Sequence, residues 1–381
     1  MRKSTPILTG SEGIMLAGTG DSTPDLEYAT GFRAVDPVVC LCRGSERWLV
    51  VPEMEYGRAQ EAAPSRGVTV LTPGMLKLTR DQRRRLGGWA LGLVRHAGLR
   101  RVVVPGLFPH GVAEALQQRG IRVRVARESL FPERAVKRPE EIRHITVAQQ
   151  AAVIAMRGAI AMIAGAEPDR IGVLRYDGQR LTAERVRRRI QQILLDHDCE
   201  SRSIIVAPGR QAADPHVTGT GPLHAHEAVV IDIFPRHQTS GYWGDLTRTV
   251  ARGVAPAALR RMYQAVRAAQ TLALQEIRPG KSWKAPHRAA VQAFESWGYE
   301  THWETRPPRG FIHGTGHGVG LAVHEAPSLG FTDGRLRAGH VVTVEPGLYD
   351  PEIGGIRIED TVVVTATGWR YLAPCEKRFE L

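Results

Sequence analysis

Residues 313–327 read HGTGHGVGLAVHEAP, with His313, His317 and His324 inside fifteen residues and Gly314, Gly316, Gly318 and Gly320 alternating between them. A histidine pair spaced like His313 and His317 would mark a metal-binding helix if the segment were helical. Glycine at every second position argues against a helix, and it lets the backbone approach a neighbour or a ligand closely. A glycine-rich loop is therefore expected. Glu325 follows His324 directly, so three imidazoles and a carboxylate share one loop.

The strongest patterns around this loop are strands, and they carry acids where a strand should be apolar. Asp232 closes VVID in AVVIDIF (228–234) and Asp245 opens DLTRTV in GYWGDLTRTVA (241–251). Glu345 closes VVTVE in HVVTVEP (340–346), and Glu359 sits inside GIRIEDTVVVT (355–365), read as one strand. Buried carboxylates are costly unless paired or bound to a cation, and only Arg248 and Arg357 lie near these in sequence. A shared pair of divalent metals would offset the four charges. Side chains two apart on a strand face the same way, so Asp245 is expected to share its face with Thr247 and Thr249, and Arg357 to support Glu359. An oxygen-rich set with an imidazole suits Mn, Fe, Co or Zn better than it suits a structural zinc site, which uses cysteine. Two such ions about 3.5 to 4 Å apart can activate a bridging water and stabilise a tetrahedral intermediate, the chemistry of amide hydrolysis.

Four helical patterns precede these strands: one from Pro139 with Ile142, Ile145, Val153, Met156, Ile160 and Ile163 at helical spacing, then Thr182–His197, Pro256–Ile277 and Ala285–Trp297. Helices come before strands in two rounds, which suggests an α+β domain of two related halves, although no short repeat is visible. Upstream, from about residue 35 to 127, short β-branched runs alternate with helical patterns at 79–96 and 110–119, the sign of a smaller α/β domain. The stretch ESLFPERAVKRPEE (128–141) separates the two, giving domains of 1–134 and 135–381.

With 43% hydrophobic and 24% charged residues, the chain has the composition of an ordinary globular protein, and no transmembrane reading is needed. MRKSTPILTGSEG at the start has too short an apolar run for a secretory leader. Cys40 and Cys42 would share a strand face while Cys199 and Cys375 stand alone, so no disulfide framework or metal knuckle emerges, and a reducing cytoplasm is expected. The net charge of +12 is carried mostly by arginine, with Lys only at Lys3, Lys77, Lys137, Lys281, Lys284 and Lys377. It spreads along the whole chain; the runs at Arg83–Arg85 and Arg187–Arg189 fall in helical patterns and read as solvated faces. No nucleic-acid partner and no membrane partner is expected on these grounds.

IDIFPRHQTSGYWGDLTRTV, GHGVGLAVHEAP, TVEPGLY and GIRIEDTVVVT occur in an order that resembles the pita-bread metallopeptidase superfamily, which contains aminopeptidase P, prolidase, methionine aminopeptidase and creatinase. The upstream domain, with YATGF and VKRPEEI, resembles the N-terminal domain shared by prolidase, aminopeptidase P and creatinase. The resemblance implies a pita-bread catalytic domain preceded by a creatinase-type domain. It implies that Asp232 and Asp245 bind one metal, that Asp245 and Glu359 bridge, and that His317 and Glu345 bind the other. Glu345 would also take the proton of the attacking water, His324 would steady the oxyanion, His313 would line the leaving-group pocket and His216 would sit over the substrate. His224, His226 and His237 match no ligand of the family and are read as surface residues.

Two features depart from the family pattern. The hairpin between Asp232 and Asp245 is about two residues longer, an insertion that a hairpin tip tolerates. Ser328 stands where some dipeptidases carry an Arg that clamps the substrate carboxylate. The resemblance further implies a homodimer and a short peptide substrate cleaved before proline, with two divalent ions per chain, manganese first and Co, Zn or Fe as alternatives. Alternative readings are a metal-dependent hydrolase or lyase of a small molecule, or a non-catalytic peptide-binding protein.

Overall fold

The computed structural model describes residues 12–381, so the N-terminal stretch examined for a leader lies largely outside the described residues. The chain divides into two compact units, Met1–Pro132 and Glu133–Leu381.

The smaller unit is a six-stranded mixed sheet with helices on both faces. Its elements are β1 (Gly13–Gly18), α1 (Pro24–Thr30), β2 (Val38–Arg43), β3 (Glu46–Val50), α2 (Tyr56–Ala62), β4 (Val68–Leu71), α3 (Leu86–His96), β5 (Arg101–Val104), α4 (His110–Gln117) and β6 (Arg122–Val125), in sheet order β4-β3-β2-β1-β5-β6. Strand alternation sorts the core: Met15, Leu41 and Val50 pack with Leu93 and Leu116, while Leu16, Cys40 and Leu49 pack with Leu26 and Phe32. β1 and α1 precede the expected start near residue 35, because GIMLAG is too short and too glycine-flanked to show a period. The helix expected over 79–96 is also shorter. A 3-10 turn at Gln82–Arg84 is followed by extended Arg85 before α3 starts. There the chain folds back so closely that a Cβ on Gly88 would lie 2.1 Å from the Gln82 carbonyl oxygen.

The larger unit begins with α5 (Pro139–Ala164), a small sheet of β7 (Glu167–Pro168), β8 (Leu174–Tyr176) and β9 (Gln179–Arg180), and α6 (Ala183–Leu195). Pro139 opens α5, and the Arg138 N–H donates to the Glu141 carboxylate in a capping box. By length and composition α5 could span a bilayer, yet its Ile145, Met156 and Ile163 are fully buried in the protein core. Next come β10 (Cys199–Glu200), β11 (Ile205–Pro208), β12 (Ala228–Ile233), β13 (Arg236–His237) and β14 (Leu246–Ala251). β11, β12 and β14 form one antiparallel sheet, on which α5 and α6 pack through Met156, Ile190, Leu194, Val206 and Ile231.

A second round follows, with α7 (Ala257–Gln275), α8 (Ala285–Ser296), β15 (Gly316–Gly318), β16 (Glu325–Leu329), β17 (Val341–Val344), β18 (Gly347–Asp350), β19 (Gly354–Arg357), β20 (Asp360–Val364) and β21 (Trp369–Tyr371). The sheet order is β16-β15-β17-β20-β21, and β18 pairs with β19 separately. Met262, Val266 and Phe294 of the helices pack on Val342, Val344, Ile356 and Val362. Both rounds therefore place a helix pair against antiparallel strands. GIRIEDTVVVT is not one strand: β19 ends at Arg357, β20 begins at Asp360 in a different sheet, and Glu359 lies in the break.

Candidate active site

The acids meet because each is delivered by the end of a strand. Asp232 lies in β12 across from Thr247 of β14, Asp245 immediately precedes β14, Glu345 immediately follows β17, and Glu359 occupies the gap between β19 and β20. The long hairpin is taken up at its tip, where β13 pairs with Cys199 and Glu200 of β10 and the His237 amide donates to the Tyr242 carbonyl. Both aspartates stay at the same cavity. That cavity, about 840 Å³, is lined by His216, Asp232, Asp245, His313, His317, His324, Glu345, Arg357 and Glu359, together with Ser328 and apolar residues including Phe234, Ile312 and Phe331. Every site residue expected from sequence lines it.

Ligand atoms of Asp245, His317 and Glu359 lie within 4.8 Å of one another. The His317 Nε2 is 3.2 Å from Glu345 Oε1 and 3.7 Å from Asp245 Oδ2. Its Nδ1 sits 3.1 Å from the Gly318 carbonyl oxygen, which fixes Nδ1 as the donor and leaves Nε2 facing the acids. The glycine spacing permits this approach: a Cβ on Gly316 would sit 2.1 Å from the Thr343 carbonyl oxygen. Thr343 Oγ1 accepts the His317 N–H at 3.0 Å and donates to Glu345 Oε1 at 3.1 Å.

Electrostatically the site holds more negative charge than its own cations balance. Burial and the facing Asp232 carboxylate push Asp245 well above the usual range, and burial with Asp245, Glu345 and Asp232 does the same to Glu359. Burial also opposes charge on Glu345 and His317, but their mutual hydrogen bond and attraction outweigh it, holding Glu345 at about 2 and His317 at about 9. Asp232 Oδ1 is buried with no hydrogen-bond partner among the described residues. An orphaned carboxylate oxygen and acids that repel one another fit a site for divalent cations.

The supporting contacts differ from the sequence expectation at Arg357. Its guanidinium does not meet Glu359; Nη2 donates to Asp232 Oδ2 at 2.7 Å, Nη1 to the Tyr349 hydroxyl at 2.9 Å and Nε to Thr247 Oγ1 at 3.3 Å. Glu359 accepts instead from Thr247 Oγ1 at 2.8 Å, the same hydroxyl that accepts from Arg357 Nε, so Arg357 reaches Glu359 only through Thr247. Tyr349 also meets His313 Nε2 at 2.8 Å, while His313 Nδ1 lies 2.7 Å from the Gly314 carbonyl oxygen. His324 stacks edge-on against His317, with ring centroids 4.4 Å apart.

Two further residues had no local signal. Gln149 of α5, fully buried, donates to the Asp245 carbonyl and accepts its N–H, both at 2.8 Å, so it bolts that acid's backbone in place. Arg187, read as part of a solvated run, donates to the carbonyls of Thr218 and Gly219, both at 2.7 Å, beside the segment that carries His216. His226 is exposed, as expected, but His224 and His237 are half-buried.

A family model, that of metallopeptidase family M24, matches residues 143–366. The chain belongs to this family. The M24 chain is 27% identical over 360 residues to the Xaa-Pro dipeptidase of Pyrococcus horikoshii, covering 93% of this chain and 91% of that protein. The crystal structure of the prolidase from Pyrococcus horikoshii superposes with a TM-score of 0.80 at 26% identity, over 97% of this chain and 95% of the other. The Xaa-Pro dipeptidase of Bacillus anthracis gives 0.78 at 25%, again over 97% and 95%. The M24 peptidase thus has the α+β pita-bread fold with an N-terminal domain, and it is a metallopeptidase.

Proposed function

We propose that this M24 peptidase removes the N-terminal residue from short peptides with proline second, using two divalent metal ions, with residues 1–134 as a creatinase-type domain and 135–381 as the catalytic domain. The observation that carries the reading is the convergence of four carboxylates and His317 in one cavity, with Asp232 Oδ1 left without a partner among the described residues. The relatives named prolidase and Xaa-Pro dipeptidase supply the substrate class. Proline fixes its own φ and lacks an N–H, so its bond calls for a dedicated pocket.

Asp232 and Asp245 would hold one ion, His317 and Glu345 the other, with Asp245 and Glu359 shared. Manganese, or else Co, Zn or Fe, suits this set, and when bound supplies Lewis acidity and a water of lowered pKa. Glu345 takes the proton of the attacking water, since its carboxylate faces the cavity. His324 steadies charge growing on the substrate carbonyl oxygen. His313, tied to Tyr349, lines the leaving-group side, and His216 covers the substrate; Arg357 orients Asp232. The four cysteines are free thiols, in keeping with a cytoplasmic enzyme, and the reading includes a homodimer.

Substrate length follows from charge. Ser328 lies across from His317 in the β15–β16 pair and offers one neutral hydroxyl. Arg357, the one arginine among the described lining residues, is committed to Asp232, and Arg309 lines a separate cavity of about 150 Å³. Among the described lining residues a dipeptide's carboxylate therefore meets no free arginine or lysine, and losing one charge-assisted bond of about 1.5 to 3 kcal/mol weakens binding roughly ten- to a hundredfold. Peptides of three or more residues should be cleaved at least as efficiently as Xaa-Pro dipeptides. The test is Mn-reconstituted enzyme with matched substrates: folded protein that takes up no metal overturns the enzyme mechanism, and a dipeptide advantage in kcat/KM above about tenfold overturns the length assignment.

A further inference from the structure

No described residue hydrogen-bonds the His324 imidazole, which is exposed at the end of a glycine-rich loop. A group that must meet a developing charge within tenths of an ångström needs its backbone held. The neighbouring residue supplies the hold. Glu325 Oε1 accepts from Lys137 Nζ and Oε2 from Arg134 Nη2, both at 2.5 Å, and Oε2 also accepts the Ala322 N–H at 3.3 Å. The Lys137 side chain is 1% exposed and that of Glu325 10%. The carboxylate lies directly over Gly320, where a Cβ would come within 2.4 Å of Oε1. Gly320 is pinned from its other side, its carbonyl accepting the Trp243 N–H at 2.9 Å, and the Lys137 N–H donates to the Gly339 carbonyl at 2.8 Å. The loop from Gly320 to Glu325 is thereby closed by one buried carboxylate, with His324 as its last residue before the clamp.

Taking a lysine and a glutamate out of water returns little net stability, and an apolar pair of similar volume often does as well. What an ion pair adds is direction. We propose that Glu325, gripped by Lys137 and Arg134, is a positioning residue that fixes His324 over the site, an inference that rests on the role given to His324 above.

Glu325→Gln keeps the size and removes the charge. It should retain metal and leave KM little changed, while kcat falls by roughly tenfold or more. Amide exchange in the 319–325 segment, read by mass spectrometry on the full-length protein, should quicken. In a His324→Ala background the same change should cost no further activity, because the clamp then has nothing to aim. Glu325→Gln also leaves Lys137 buried without its acid, so Lys137→Met/Glu325→Gln separates folding from aim: the melting midpoint should recover while kcat stays low and exchange stays fast. Unchanged exchange in both variants, or losses that multiply with His324→Ala, would overturn the proposal. Wild-type enzyme without peptidase activity would instead sink the proposed function, and the exchange measurement would still decide the clamp.

Discussion

Gln149 shows how far from the chemistry a single residue can act. Among the described residues its amide oxygen alone accepts the buried Asp245 N–H, whereas the Asp245 carbonyl is also met by Thr361 Oγ1 at 2.7 Å. Gln149→Ala should therefore cost about 1 to 3 kcal/mol for the orphaned donor and lower metal affinity roughly ten- to a hundredfold, the scale for losing a partner behind a ligand. Calorimetry of metal binding beside thermal melting checks it; a stability loss with unchanged affinity would remove Asp245 from the ligand set. His340 sets a pH response. Burial, with Lys137 and Arg337 nearby, holds it at about 4, below its usual value near 6.5. Because the folded pKa is depressed, the neutral ring stabilises the fold above about pH 6.5, and that contribution, roughly 3 kcal/mol in full, is lost as pH falls toward 4. His340→Gln, whose amide oxygen can still accept the Arg337 N–H made at 3.2 Å by Nδ1, should flatten stability against pH in that window. An unchanged slope in denaturant titrations would contradict the assignment.

At the scale of elements, the close approach of β15 to the backbone around Thr343 brings His317 beside Glu345. Gly316→Ala places a methyl 2.1 Å from the Thr343 carbonyl oxygen, so backbone must move. The expected cost is about 1 to 3 kcal/mol or more, with metal retention falling because Thr343 Oγ1 bonds both the His317 amide and Glu345. Gly368→Ala, with open space around its Cβ position, is the control. Equal melting midpoints and metal content for the two variants would refute the packing argument. The break between β19 and β20 matters in the same way: Arg248, 1% exposed, donates to the Glu359 backbone carbonyl and, at 2.7 Å, to Asp360 Oδ1. It clamps the irregular backbone on which Glu359 stands.

Across the whole molecule, the two units bury separate cores, and the acids are confined to the larger. Metal bound only by the folded state stabilises by mass action, about 2.7 kcal/mol at a free concentration a hundredfold above Kd, or roughly 5 to 10 °C in melting midpoint for a unit of this size. Chelation should lower the larger unit's midpoint by that order, and Mn should restore it. A scan indifferent to both would count against a metal centre.

Much of this was legible in the chain itself, for physical reasons. Apolar periodicity located α5 to α8, because a helix must show one face to the core. Acids at the ends of β-branched runs, and glycines alternating with histidines, marked the site because buried charge and close backbone approach are unusual enough to show without a partner. Partnership itself was not legible. Gln149 lies 96 residues from Asp245, Arg357 125 from Asp232, and Arg134 191 from Glu325. The same-face rule paired Arg357 with Glu359 because it presumes a continuous strand, and the chain changes sheets between them. Local pattern marked out the residues proposed to carry the chemistry; only the packing of distant segments decided which neighbour holds each one, since hydrogen-bond partners are set by distance in space and not along the chain.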